Sequence, residues 1–224
     1  MFEFFINAFN LVLYQPLLSA LLIIYRYLPI QDFGLAVIVL TIITKLIFYP
    51  LGTKGIKAQK ALQDLQPKIK EVQDKFKNDK TRQAKEMMEL YKREGVSPLS
   101  GCLPLLIQFP ILIALYRVFW KGIAEQSGIN HFFLGFVDLS IPSWPLALAT
   151  GVLQYIQTRM SVPKNKAQDQ GAKNDFSNVL QKQMLYFFPV FTVIILLRLP
   201  SALALYWLTT IIFTIFQQWL IYKR

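Results

Sequence analysis

FGLAVIVLTIITKLIFYPL, residues Phe33 to Leu51, carries a single charge, Lys45, in an otherwise apolar run. Its length is close to the roughly 20 residues that a helix needs to cross the hydrocarbon core of a bilayer. Four further apolar runs follow, at Leu99 to Trp120, Ser143 to Met160, Met184 to Leu199 and Leu203 to Ile221. Together they predict an all-α, polytopic membrane protein with five spans. Met184 to Leu199 is the shortest and is interrupted by Pro189, but the Arg198-Leu199-Pro200-Ser201 turn after it suits a tight helical hairpin. A sixth apolar run, residues 4 to 28, contains Asn7, Asn10, Gln15, Pro16 and Arg26. We read it as a helix lying in the outer interface from about Pro16 to Leu28, with a sixth span as the alternative.

Composition agrees with the runs. The chain is 54% hydrophobic and only 17% charged, with a mean hydropathy of +0.38, too apolar for an ordinary soluble domain. Its net charge of +11 would fit nucleic acid or a membrane's inner face, and the position of the charge decides between them. Residues 52 to 98 form the longest polar segment and hold twelve Lys or Arg against seven Asp or Glu. By the positive-inside rule this segment is cytoplasmic. Lys164, Lys166, Lys173 and Lys182 in the loop 161 to 183, and Lys223 and Arg224 at the end, fall on the same side. The other side carries few basic residues, such as Arg26, Lys121 and Arg198, so the C-terminus is expected in the cytoplasm. Residues 1 to 25 have no Lys or Arg, and no cleavable signal is expected. Cys102, the single cysteine, excludes an internal disulfide.

The domain plan is then 1 to 32, an N-terminal segment with the interfacial helix; 33 to 51, the first span; 52 to 98, a cytoplasmic helical hairpin; and 99 to 224, spans two to five. The hairpin follows from periodicity. Leu62, Leu65, Ile69, Val72 and Phe76 recur at spacings of 3 and 4, and Ala84, Met87, Met88 and Tyr91 repeat the pattern after a turn at Asn78-Asp79. Pro67 is expected to kink the first arm or to start a new helical segment. Two solvated helices packed on each other explain the seam. A dock for a ribosome, targeting receptor or emerging substrate uses the same residues, helped by the adaptable Met87 and Met88.

A charge at mid-span costs about 2.5 to 3.5 kcal/mol on insertion scales, so Lys45 requires a reason. One reason is snorkelling, since Lys45 is six residues from Leu51 and its arm can reach toward headgroups. The other is a wet cavity. Thr41, Lys45 and Tyr49 stack at i, i+4 and i+8 with Thr44 beside them, a polar stripe on an apolar helix. Matching polar residues are Gln108 in the second span, Thr150, Gln154 and Gln157 in the third, and Tyr206, Thr210 and Gln217 in the fifth. Each alone is more often an interhelical hydrogen bond. Combined with one cation, they point to a hydrophilic groove.

The segment Gly101-Cys102-Leu103-Pro104-Leu105-Leu106-Ile107-Gln108-Phe109-Pro110-Ile111, running on to Ala114-Leu115-Tyr116, resembles the second-span signature of the YidC insertases. The similarity extends through Leu65-Gln66-Pro67-Lys68-Ile69, Glu86-Met87-Met88, Leu90-Tyr91-Lys92, Leu199-Pro200-Ser201, Leu205-Tyr206-Trp207 and Gln217-Gln218. The resemblance implies five spans around a groove open to the cytoplasm and to lipid and closed outside. It implies a bacterial plasma (inner) membrane protein that moves hydrophobic segments of nascent membrane proteins into lipid. It would act alone or beside the Sec translocon, with the ribosome as a further candidate partner and no direct nucleic-acid specificity. In that family an Arg supplies the groove's charge, where this chain has Lys45; Thr41 and Tyr49 match substrate-contacting positions, and Trp207 stands where some relatives have Tyr. Neither the relatives' large outer domain nor a long basic tail is expected in this chain. No cofactor, metal or catalytic residue is expected, His131 reading as a surface residue and Cys102 as packing. A secondary transporter or channel is the alternative, disfavoured because the spans hold no Asp, Glu or His.

Overall fold

The computed structural model describes residues 2–97, 103–122, 129–162 and 176–223. Leu99 to Cys102 of the second predicted span, and Lys164, Lys166 and Lys173 of the loop 161 to 183, lie outside them. The described chain is helical except for a two-stranded antiparallel ribbon, β1 (Phe132–Phe133) with β2 (Val137–Asp138).

The N-terminal segment is one continuous helical run: α1 (Phe2–Phe9), a π-helical turn (Asn10–Tyr14) and α2 (Gln15–Tyr27). The wide turn comes just ahead of Pro16, whose ring cannot donate to the normal ladder, and the helix continues past it. The sequence reading started the helix at Pro16. As a result Ile6–Tyr27 has the length and apolarity of a span, which that reading had left to the alternative. Ser201–Tyr222 also qualifies alone.

α3 (Phe33–Ile47) stops short of the predicted Leu51. Phe48 breaks the helix, Pro50 sits in the first turn of α4 (Tyr49–Lys75), and the two axes differ by 70°. Pro50 has no N–H to donate to the carbonyl of Leu46 four residues back, and proline is accepted in a first turn, so the α3 ladder ends here and α4 starts anew. α3 and α4 pass the span test only as a bent pair. Pro67, by contrast, sits inside a continuous α4 and starts no new segment.

α4 and α5 (Lys80–Arg93) form the expected hairpin, with the Asp79 carboxylate accepting from Arg82 N at 3.0 Å to cap α5. Its seam is Leu65, Ile69 and Leu90, flanked by Val72, Met87 and Tyr91. Met88 is 54% exposed and does not join it. Lys68 Nζ reaches Glu94 Oε1 at 2.7 Å across the open end.

α6 (Leu103–Arg117) runs into a second π-turn (Val118–Gly122), and α7 (Trp144–Ser161), α8 (Phe176–Leu196) and α9 (Ser201–Tyr222) complete the bundle. The 197–200 turn is as tight as expected, yet α8 packs chiefly on α7, which also contacts α9 along its length. Gly151 permits that approach, since a Cβ there would overlap the Val193 side chain. Outward faces are apolar: Ile47, Ile113, Val152, Val190 and Ile212 are all exposed. A band of this kind on several helices is the signature of a lipid-facing surface.

The main core fills the ribbon end of the bundle. Leu21, Tyr25, Phe33, Leu115, Phe119 and Leu203 are buried together there. Asp32 holds that end: its carboxylate caps α3 at Leu35 N (2.8 Å) and accepts from Leu134 N (2.5 Å) beyond β1. Gly34 lies directly under Phe133, whose ring a Cβ would penetrate. His131, read from sequence as a surface residue, is half-buried with its ring edge-on to Phe33.

Candidate functional site

Beneath this apolar plug, on the side of the hairpin, α3, α4, α6 and α9 enclose a small open-mouthed cavity of about 60 Å³. Polar side chains from three of them line it: Thr41, Thr44 and Lys45 from α3, Gln108 from α6, Tyr206 and Gln217 from α9. Apolar Phe48, Leu51 and Ile111 complete the wall. Tyr206 and Ile111 also belong to the main core, so the cavity floor is the underside of the plug.

The donors and acceptors have a definite sense. The hydroxyls of Thr41 and Thr44 donate back to Val37 O (2.6 Å) and Leu40 O (2.8 Å). Their protons are thereby engaged, which leaves their oxygens as acceptors. Gln108 Nε2 donates to Tyr206 Oη, tying α6 to α9 across the floor. Gln217 Nε2 donates to Tyr49 O (3.1 Å) and Thr53 Oγ1 (2.9 Å), tying the far end of α9 to the start of α4. Gly52 faces this amide, with a Cβ position 3.3 Å from it. Lys45 is half-buried on the wall and, with every described residue, makes no ion pair within 4 Å. One uncompensated cation among hydroxyls and amides in a low-dielectric surround attracts anions more strongly than the same charge in water.

Six of the eleven groove residues read from sequence thus meet in one cavity: Thr41, Thr44, Lys45, Gln108, Tyr206 and Gln217. Tyr49 lies on the other side of the Gln217 hydrogen bonds, in a neighbouring cleft. Thr150 is buried between helices, its hydroxyl donating to Leu146 O (2.7 Å) and 3.4 Å from Ala204 O. Gln154 and Gln157 share the α7 helix and do not line the cavity, and Thr210 is buried on α9 between Tyr206 and Gln217. Helical spacing places such residues on a stripe but does not say which neighbour the stripe faces. Trp207 packs with Ala147, Leu196 and Ala204, away from the cavity. Sequence reasoning missed Gln218, which is 1% exposed and donates to Ser161 Oγ at 2.9 Å, joining α9 to α7. Its signal was an amide pair, Gln217-Gln218, inside an apolar helix.

The sequence profile of the family described as 60Kd inner membrane protein matches residues 23–224. A protein of Wigglesworthia glossinidia brevipalpis named membrane protein insertase YidC is 37% identical over 93% of this chain and 36% of its own length. Proteins of the same name from Actinobacillus pleuropneumoniae and Syntrophus aciditrophicus are 38% and 36% identical, each over 94% of this chain. The chain spans about a third of the length of these relatives, 36% in all three.

Proposed function

The chain belongs to the 60Kd inner membrane protein family, the family of the YidC insertases, and from that premise we propose that it inserts hydrophobic segments of nascent proteins into the bilayer. The observation that carries this reading is Lys45, without an ion-pair partner among the described residues, on the wall of a polar cavity that the main core closes at one end. A client's short polar tail enters the cavity while its hydrophobic segment slides along the exposed apolar faces beside it. Hydroxyls and amides on the wall lower the tail's desolvation cost, and Lys45 draws an acidic tail transiently. The work is done by solvation and charge, without a nucleotide or a covalent step.

In this reading α3, α6, α7, α8 and α9 are the five spans, and the hairpin and C-terminus are cytoplasmic. The N-terminal helix packs against α3 and turns its exposed Leu11, Val12 and Ile23 to lipid. α3 is 15 residues, about 22 Å at 1.5 Å per residue, shorter than a ~30 Å hydrocarbon core. A short helix at the cavity thins the lipid beside it, which favours passage of a tail. The Leu65–Ile69–Leu90 hairpin is the contact for the ribosome or emerging client, and the Sec translocon is a further partner.

Purified protein in liposomes, supplied with a small client bearing an acidic translocated tail, tests the proposal. Lys45→Arg should retain insertion, because attraction depends mainly on charge. Lys45→Ala should impair it and Lys45→Glu more so, with neutral-tailed clients suffering less. Normal insertion of every client by folded Lys45→Ala protein would leave Lys45 as a snorkelling residue. Cysteines placed at 54, 77 and 92 should resist labelling from outside intact cells while one at 134 reacts; the reverse would invert the topology.

A further inference from the structure

Beyond the Gln217 hydrogen bonds lies a second, larger cleft of about 530 Å³ between the first turns of α4 and the end of α9. Its α4 wall continues the stripe begun by Thr41 and Lys45: Tyr49, Thr53, Lys57, Lys60 and Asp64 follow at spacings of 3 and 4. Its α9 wall is apolar, Leu220 and Ile221. We propose that this cleft binds the headgroup of an anionic phospholipid, its phosphate against Lys57 and Lys60 and its acyl chains along Leu220 and Ile221.

Three observations point to this occupant. The cleft is amphipathic in the same sense as a lipid, basic on one wall and apolar on the other. It lies where the apolar α9 ends: Trp219 is half exposed with Lys223 Nζ 5.0 Å from its ring, and Lys60 Nζ is 5.7 Å from the Tyr222 ring. Tryptophan, tyrosine and lysine at a helix end mark the headgroup level. Finally, neither Lys57 nor Lys60 has an ion-pair partner within 4 Å among the described residues, so both charges are free for a phosphate. Asp64, one turn past Lys60, is the single acidic lining residue and limits the site to one phosphate's worth of net attraction. A free phosphate would use the lysines but not the apolar wall, and an acidic client segment would use them only in passing.

The site requires α9 to lie in the bilayer but not that the protein be an insertase. The test therefore contains no client, and its failure leaves insertion untouched. The full chain is equilibrated in mixed micelles holding equal phosphatidylglycerol and phosphatidylcholine, and retained lipids are counted by native mass spectrometry. Wild type should retain phosphatidylglycerol preferentially. Lys57→Gln with Lys60→Gln should lower that preference at least about fivefold. Lys57→Arg with Lys60→Arg should keep it, which excludes misfolding as the cause. Lys70→Gln with Lys77→Gln, removing the same charge from the hairpin, should leave it unchanged. An equal loss in the hairpin variant, loss in the arginine variant, or no preference in wild type would overturn the proposal. So would displacement of the lipid by millimolar inorganic phosphate or by an acidic peptide, which would assign the cleft to those ligands.

Discussion

Gln217 is the residue whose removal the structure prices most directly. Its amide donates two hydrogen bonds, to Tyr49 O at 3.1 Å and Thr53 Oγ1 at 2.9 Å, and nothing else polar joins the end of α9 to the start of α4 among the described hydrogen bonds. Interhelical hydrogen bonds in membrane proteins average about 0.6 kcal/mol and reach about 1.7. Gln217→Leu keeps most of the volume and loses both bonds, so a cost of about 1 to 3 kcal/mol follows. Thr53→Val removes one acceptor and should cost about 0.6 kcal/mol. Because the two substitutions share a bond, the double variant should be less than additive by a similar amount, whereas distant sites add. The assay is reversible unfolding in mixed micelles titrated with a denaturing detergent, followed by circular dichroism. The same amide also separates the Lys45 cavity from the neighbouring cleft, so Gln217→Leu should raise solvent access to a cysteine at position 51, which lines the cavity wall. Strict additivity of Gln217→Leu and Thr53→Val, with unchanged access at 51, would refute the link.

Gly151→Ala should destabilise the α7–α8 pair by about 1 to 3 kcal/mol through overlap with Val193, and Val193→Ala should recover much of it in the double variant; unfolding of the four proteins measures both. Leu65→Ala or Leu90→Ala should each cost the hairpin about 2 to 5 kcal/mol, seen as faster hydrogen exchange in 60–94 with exchange in α9 unchanged. The hydrogen bond from Lys68 holds the Glu94 carboxyl below its ordinary range. This contact therefore supports hairpin closure above the ordinary carboxylate pKa and is lost as pH falls through the lowered one. The Glu94 carboxyl resonance should titrate below the ordinary value, and Lys68→Met should return it there. Burial raises the Tyr91 phenol, so its absorbance change should come above that of an exposed tyrosine and move down in Leu65→Ala.

The sequence by itself determined whatever depends on local chemistry and on the solvent. Apolar runs near bilayer length, lysines gathered into residues 52 to 98, and the 3-and-4 spacing of Leu65, Ile69 and Val72 are read without a fold, because hydrophobicity, charge bias and helical period are properties of short segments. Lys45 was legible for the same reason, as one charge where charge is costly. Only the tertiary structure decided which polar stripes face one another. Thr150 and Tyr206 occupy equivalent-looking positions on apolar helices, yet one closes an interhelical gap and the other floors a cavity, since that depends on helix rotation and neighbour identity. The break at Phe48, the helix carried through Pro16, and the tie from Gln217 to Thr53 across 164 residues are likewise set by packing. Burial on a helix is fixed by what covers it, and a single helix's sequence contains its own face but not the face opposite.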